Sequence, residues 1–166
     1  MSVTLAPDDI VRTHAERVEN AREPLLVLDP LLGFLKDNGL AAPEGIEASP
    51  IGEGHSNVTF SLSTGVVLRR PPRGPLPPSA HDVLREARLL RALECTPVRA
   101  PKVLAVCDEE SVIGAPFYVM ERVDGVVVTD TLPDSLDNPE QRALVAEELI
   151  DALVELHAVD WQSVGL

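Results

Sequence analysis

Aromatic residues make up only 3% of the 166-residue chain, so its core has to be built mainly from Leu, Val, Ala and Ile. Lysine is nearly missing too: of 14 basic residues only Lys36 and Lys102 are lysines and the rest are arginines. That bias reads first as genomic composition. The two cysteines, Cys95 and Cys107, fit no metal spacing and form no Cys-x-x-Cys pair, so reduced and partly buried thiols are expected. There is no run of about 18 uncharged apolar residues. The start, Met1-Ser-Val-Thr-Leu-Ala-Pro-Asp-Asp9, lacks both a basic and an apolar leader segment. A cytoplasmic chain with no membrane partner is expected. Positive charge is scarce, with a formal net charge of −13, which argues against general nucleic-acid binding. A local basic cluster can still take one nucleotide. With 45% hydrophobic and 25% charged residues, the composition is globular, and the length suits one ordinary domain or one and a half small ones.

The most informative stretch is 51–57, Ile-Gly-Glu-Gly-His-Ser-Asn. A short apolar lead-in enters a loop with two glycines. The alternating segment 58–62 follows, then a turn at 63–65, then 66–68, which ends in Arg69 and Arg70. This reads as strand, Gly loop, strand, tight turn, strand. Glycines let the backbone come close to a ligand and turn its N–H groups on a phosphate, and a nearby cation can complete such a site. A plain hairpin turn explains the same glycines. The dinucleotide fingerprint fails, because its sixth position is Asn57 and no helix follows.

Along the chain, 1–23 is polar with a weak helical pattern over 8–21. A clearer helix is expected over 29–39, with Asp29 as cap, Pro30 in the first turn and Gly39 just past the end. Residues 41–44 read as a linker, and 46–70 as a three-stranded meander. The segment 71–78 holds five prolines and cannot be helix or central strand; it is either a connector or a substrate contact. Ser79 is expected to cap a helix over 80–94. There Val83, Ala87, Leu90 and Leu93 share one arc and Glu86 falls inside it. An unpaired buried carboxylate is costly, so Glu86 either meets a cation from a neighbouring element or reaches water at the stripe's edge. Strands are expected over 101–107 and 115–121, the latter with Phe117 and Val119 on one face and Tyr118 and Met120 on the other. Asn138 and Pro139 open a long helix to about 159, with Gln141 at the third position of a capping box.

In this order and register, the motifs Gly-His-Ser-Asn-Val-Thr-Phe, Val-Leu-Arg-Arg-Pro-Pro, Pro-Pro-Ser-Ala-His, Arg-Glu-Ala-Arg-Leu-Leu and Ile-Gly-Ala-Pro-Phe-Tyr-Val-Met-Glu carry a resemblance. The chain resembles the aminoglycoside phosphotransferase and choline kinase-like family, which has a protein-kinase-like fold. The similar branch is the one fused to, or encoded beside, acyl-CoA dehydrogenases. The resemblance implies an α+β fold: a kinase-like small lobe with a five-stranded antiparallel sheet and one packed helix, an N-terminal helix, and a long C-terminal helix that begins the large lobe. It divides the chain into an extension (1–43), a nucleotide-binding lobe (44–124), and a linker with the first helix of a second lobe (125–166).

The implied cofactor is ATP. Gly52, Gly54, His55, Ser56 and Asn57 would cover its phosphates. Arg69 stands where the family has lysine, paired with Glu86, which meets the demand the apolar stripe raised. Val67 would line the adenine slot, Met120 would hold the gatekeeper position, and the backbone of Glu121 and Val123 would form the hinge. The implied activity is that of a small-molecule kinase transferring the γ-phosphate to a hydroxyl.

The family's His-Gly-Asp-type catalytic loop and metal-binding Asp are not in this sequence. His157-Ala-Val-Asp160 has the wrong spacing and reads as a helix end, and Glu109, Glu110 and the acids of 134–137 read as solvated turns. The expectation is therefore a truncated chain with no catalytic or metal residues of its own, inactive alone, with Mg2+ entering only beside the absent lobe. The alternative is a non-catalytic nucleotide-binding or interaction module that self-associates or binds a partner through the apolar face of 139–159. A third reading is an unrelated α+β domain.

Overall fold

The alternation in 58–62 and 66–70 becomes two paired strands in the computed structural model, which describes residues 7–20, 22–51, 56–75, 77, 80–126, 128 and 131–166. After a 3-10 turn at Pro7–Asp9 come β1 (Ile10–Val11), α1 (His14–Glu19), β2 (Leu26–Val27), α2 (Leu28–Asp37), β3 (Ala48–Pro50), β4 (Val58–Leu62) and β5 (Val66–Arg70). They are followed by α3 (Val83–Leu93), β6 (Val103–Cys107), α4 (Glu110–Ile113), β7 (Phe117–Glu121) and α5 (Pro139–His157). The fold is α+β. Its main sheet has five antiparallel strands in the order β3-β4-β5-β7-β6, and β1 and β2 form a separate parallel pair. The chain crosses from β5 through α3 to the edge strand β6, then returns along β7 between them.

Two compact units divide the chain. The first is Met1–Arg88 with Lys102–Arg122, and the second is Leu89–Pro101 with Val123–Leu166. In the first unit, register decides which side of the sheet each residue serves. Phe60, Leu68, Val119 and Ala105 lie opposite one another across four strands, and all four are buried. They join Leu28, Leu31 and Leu35 of α2, together with Leu25, Leu26, Ile46 and Ile113, in one cluster. Phe34 of α2 meets Phe117 edge-on at 5.0 Å. Each large side chain so buried is worth about 1.5–3 kcal/mol, so the segment before residue 43 supplies a large part of this core.

Polar links fasten the same segment. Arg70 points to the core side, is 2% exposed, and donates to the carbonyls of Pro71, Leu25 and Ile113. Burial pushes its pKa down to about 10, which leaves it charged at neutral pH. Asp9, also buried, pairs with Arg22 at 2.6 Å and with Arg73 just beyond β5.

Helix boundaries differ from the sequence expectation in two places. Asp29 is not the cap of α2. Strand β2 runs straight into the helix, the cap position is Val27, and no side chain caps it. Gly39 does follow the end, with φ 71°. Helix α3 begins at Val83, three residues later than expected, because His81 holds a left-handed φ of 60° that no right-handed helix can continue. Asp82 takes the capping role, its Oδ1 accepting from Arg85 N–H at 2.9 Å. Ser79 lies outside the described residues. The expected acidic turn at 108–110 opens the one-turn α4, which Gly114 closes at φ 87°. Cys95 is exposed rather than partly buried, while Cys107 is buried and its thiol pKa is raised by that burial.

In the second unit, Asn138 caps α5 as expected, accepting from Gln141 N–H at 2.9 Å, with Pro139 in the first turn. Glu148 and Glu155, two turns apart on α5, hold Arg99 at 2.5 and 3.1 Å. The helix ends at His157, and Asp160 turns back to Ser163.

Candidate functional site

The face of the sheet opposite the α2 core carries two rows. Thr59, Arg69 and Tyr118 are cross-strand neighbours, and so are Ser61, Val67 and Met120. Strand alternation fixes this arrangement: Arg69 and Val67 share a face while Arg70 goes to the other. The first row is polar. The second presents the apolar side chains of Val67, which is buried, and Met120, which is half-buried.

Glu86 on α3 reaches the polar row. Its Oε2 accepts from Arg69 Nε at 2.8 Å and from the Tyr118 hydroxyl at 3.3 Å, and its Oε1 accepts from Asn57 Nδ2 at 2.8 Å. Arg69 Nη1 donates to Thr59 Oγ1 at 2.9 Å. The fork of arginine is therefore used: one nitrogen serves the helix, one the neighbouring strand, and Nη2 has no partner among the described residues. A lysine ammonium has no such fork with which to hold both elements from one fixed plane. The Arg69 and Glu86 side chains are 28% and 34% exposed, so the pair alone adds little stability. Its effect is to fix the direction of a cation.

Of the residues singled out in the sequence, the structure brings together Arg69, Glu86 and Asn57, with Val67 and Met120 in the adjoining row. Asn57 is 1% exposed, and its side chain is committed to Glu86. Ser56 is exposed, with Oγ 3.4 Å from His81 Nδ1. The Glu121 N–H is taken by the Lys102 carbonyl at 2.9 Å. Val123 belongs to the second unit. Gly52, Gly54 and His55 lie outside the described residues. Sequence reasoning missed Thr59, Tyr118 and His81. The first two carried a signal, since each lies opposite Arg69 once the strands are paired.

Tyr118 is 2% exposed. Burial above all, then the charge of Glu86, raises its pKa to about 12, with Arg69 acting the other way. It is the only tyrosine, so near-ultraviolet phenolate absorbance reports it alone. The phenolate should appear near pH 12 in the folded chain, against about 10 when unfolded. The stability gained by keeping Tyr118 protonated is complete below about pH 10 and is lost as pH rises toward about 12. Glu86→Gln should lower the folded midpoint but leave it above 10, since burial is the larger cause. A native midpoint at 10 would show that the hydroxyl is solvated.

The family model for APH, the phosphotransferase enzyme family, matches residues 47–166. The chain belongs to that family. It is 39% identical over 150 residues to "Probable acyl-CoA dehydrogenase IBR3" of Arabidopsis thaliana, a match that covers 83% of this chain and 18% of that protein. It is 40% identical over 117 residues to acyl-CoA dehydrogenase family member 11 of Rattus norvegicus, covering 68% of this chain and 15% of the other. These relatives place it in the branch associated with acyl-CoA dehydrogenases. A solved structure of a candidate aminoglycoside phosphotransferase from Ralstonia eutropha superposes with a TM-score of 0.66 at 33% identity, covering 83% of this chain and 40% of that one. The chain thus spans less than a fifth of these curated relatives and 40% of the solved neighbour. Among the described residues no helix is long and apolar enough to cross a membrane, and no group of three or more His, Cys, Asp or Glu could hold a metal ion.

Proposed function

We propose that this chain forms the nucleotide-binding part of an ATP-dependent phosphotransferase that moves the γ-phosphate to a hydroxyl of a small molecule. The observation that carries this reading is the Arg69–Glu86 pair, which directs a cation along the face beside Val67 and Met120. The donor set suits ATP. A guanidinium with a nitrogen to spare can meet phosphate oxygens through charge-assisted hydrogen bonds, and the apolar row next to it can cover a base. ATP supplies the phosphoryl group; the chain's own residues bind and orient it. Glu86 and Thr59 hold Arg69 at Nε and Nη1, and the Tyr118 hydroxyl donates to the same Glu86 oxygen. The described residues offer no acidic set for Mg2+, so the role proposed for them is toward the nucleotide and not the metal.

The test is calorimetric titration of ATP into this chain and its Arg69→Ala variant. The wild type should bind, and the variant should lose about tenfold or more in affinity, the value of one charge-assisted contact to phosphate. Equal affinities would remove Arg69 from the site. No binding by a folded wild type would favour the non-catalytic interaction module.

A further inference from the structure

His81 sits just ahead of α3 with φ 60°, a left-handed conformation that is uncommon for a residue other than glycine. Strain of this kind persists where surrounding contacts over-determine it. The contact here is specific: His81 Nδ1 lies 3.1 Å from Asn57 Oδ1. A carboxylate only accepts, so the Asn57 atom 2.8 Å from Glu86 Oε1 is the amide nitrogen. The amide oxygen then faces His81, and Nδ1 must carry a proton to meet it. A bare Nδ1 would face that oxygen lone pair to lone pair. Turning the amide to relieve this would set its oxygen against Glu86 Oε1.

We propose that His81 is a positioning residue for the Arg69 site, its Nδ1–H fixing the Asn57 amide so that Glu86 keeps Oε2 for Arg69 Nε. Its purpose rests on the nucleotide reading above; its chemistry does not. The relay runs His81 Nδ1–H to Asn57 Oδ1, Asn57 Nδ2–H to Glu86 Oε1, and Glu86 Oε2 to Arg69 Nε–H. Every donor in it meets an acceptor, and the Asn57 link is buried. Networks of this kind lose more than one bond's worth when an end is removed.

The test compares His81→Ala, His81→Asn and His81→Gly in this same chain. Asparagine carries a side-chain N–H near the place of Nδ1 and tolerates positive φ. Glycine relieves the backbone and removes the donor. The readout is hydrogen exchange at Arg69 Nε–H by NMR, which needs no nucleotide, with melting curves to show that each variant folds. Exchange should quicken about fivefold or more in His81→Ala and His81→Gly, the loss of one hydrogen bond's worth of protection, and stay near wild type in His81→Asn. The His81 nitrogen spectrum should show the proton on Nδ1. Unchanged exchange in His81→Ala overturns the proposal. So does wild-type exchange in His81→Gly, or failure of folded His81→Asn to restore it. ATP titration of the same proteins separates the two ideas: absent ATP binding with the exchange pattern intact defeats the nucleotide reading and leaves the relay standing.

Discussion

Replacing Arg70 with alanine is expected to destabilise the first unit by about 3 kcal/mol in urea unfolding. Competing terms set that figure. Burial lowers the Arg70 pKa from 12.5 to about 10, so holding the charge inside costs on the order of 3 kcal/mol, which truncation would return. Against this, the carbonyls of Pro71, Leu25 and Ile113 lose a donor, at about 1–3 kcal/mol each. Truncation also removes two methylenes' worth of burial, about 1.6 kcal/mol in all, and leaves an imperfectly closed cavity. The losses exceed the recovery. Arg70→Met keeps the stem without the donors and should fall between the two. Because Leu25 precedes β2 and Ile113 ends α4, the variant should also make the segment around residue 25 more sensitive to limited proteolysis. An Arg70→Ala midpoint within about 1 kcal/mol of wild type would mean that the carbonyls find other partners and that Arg70 is no clamp.

The sequence made one side of this sheet readable and left the other obscure. Period-two alternation in 58–62, 66–70 and 117–121 was enough to send Arg69 and Arg70 to opposite faces and to group Tyr118 with Met120. Glu86 announced itself as a carboxylate inside an apolar stripe, and the structure gives it three donors. The core side depends on partners far apart in the chain. Asp9 meets Arg73 across 64 residues, and Arg70 is satisfied by backbone carbonyls, which every residue has and which therefore leave no mark in a sequence. For that reason 1–23 looked like a loose polar extension, although Asp9, Val11 and the run 24–28 are buried. The start of α3 was misplaced for a related reason. A histidine at positive φ has no compositional signal, whereas the Asn138-Pro139 start of α5 has a strong one.

Glu86→Ala should weaken ATP binding by about as much as Arg69→Ala, tenfold or more, and should lower stability by about 2 kcal/mol. The stability loss comes chiefly from Asn57: its amide is 1% exposed and would keep His81 while losing its acceptor. Tyr118, 2% exposed, would lose the acceptor for its hydroxyl as well. The Arg69 arm adds little because that side is open to water. For binding the order reverses. Arg69 remains charged without Glu86 but is held only by Thr59 Oγ1, and a cation that has to be ordered at the moment of binding gives up much of its contribution. The two residues then act as one unit, so the Arg69→Ala/Glu86→Ala double variant should bind ATP no more weakly than the worse single variant. Additive losses would mean that Glu86 contributes to the nucleotide by a route other than Arg69. Glu86→Gln keeps one acceptor, Oε1, for Asn57 and sets its amide nitrogen, a donor only, against Arg69 Nε–H. It should recover the part of the stability that Asn57 carries and little of the affinity, because both the charge and the acceptor that fix the guanidinium are gone.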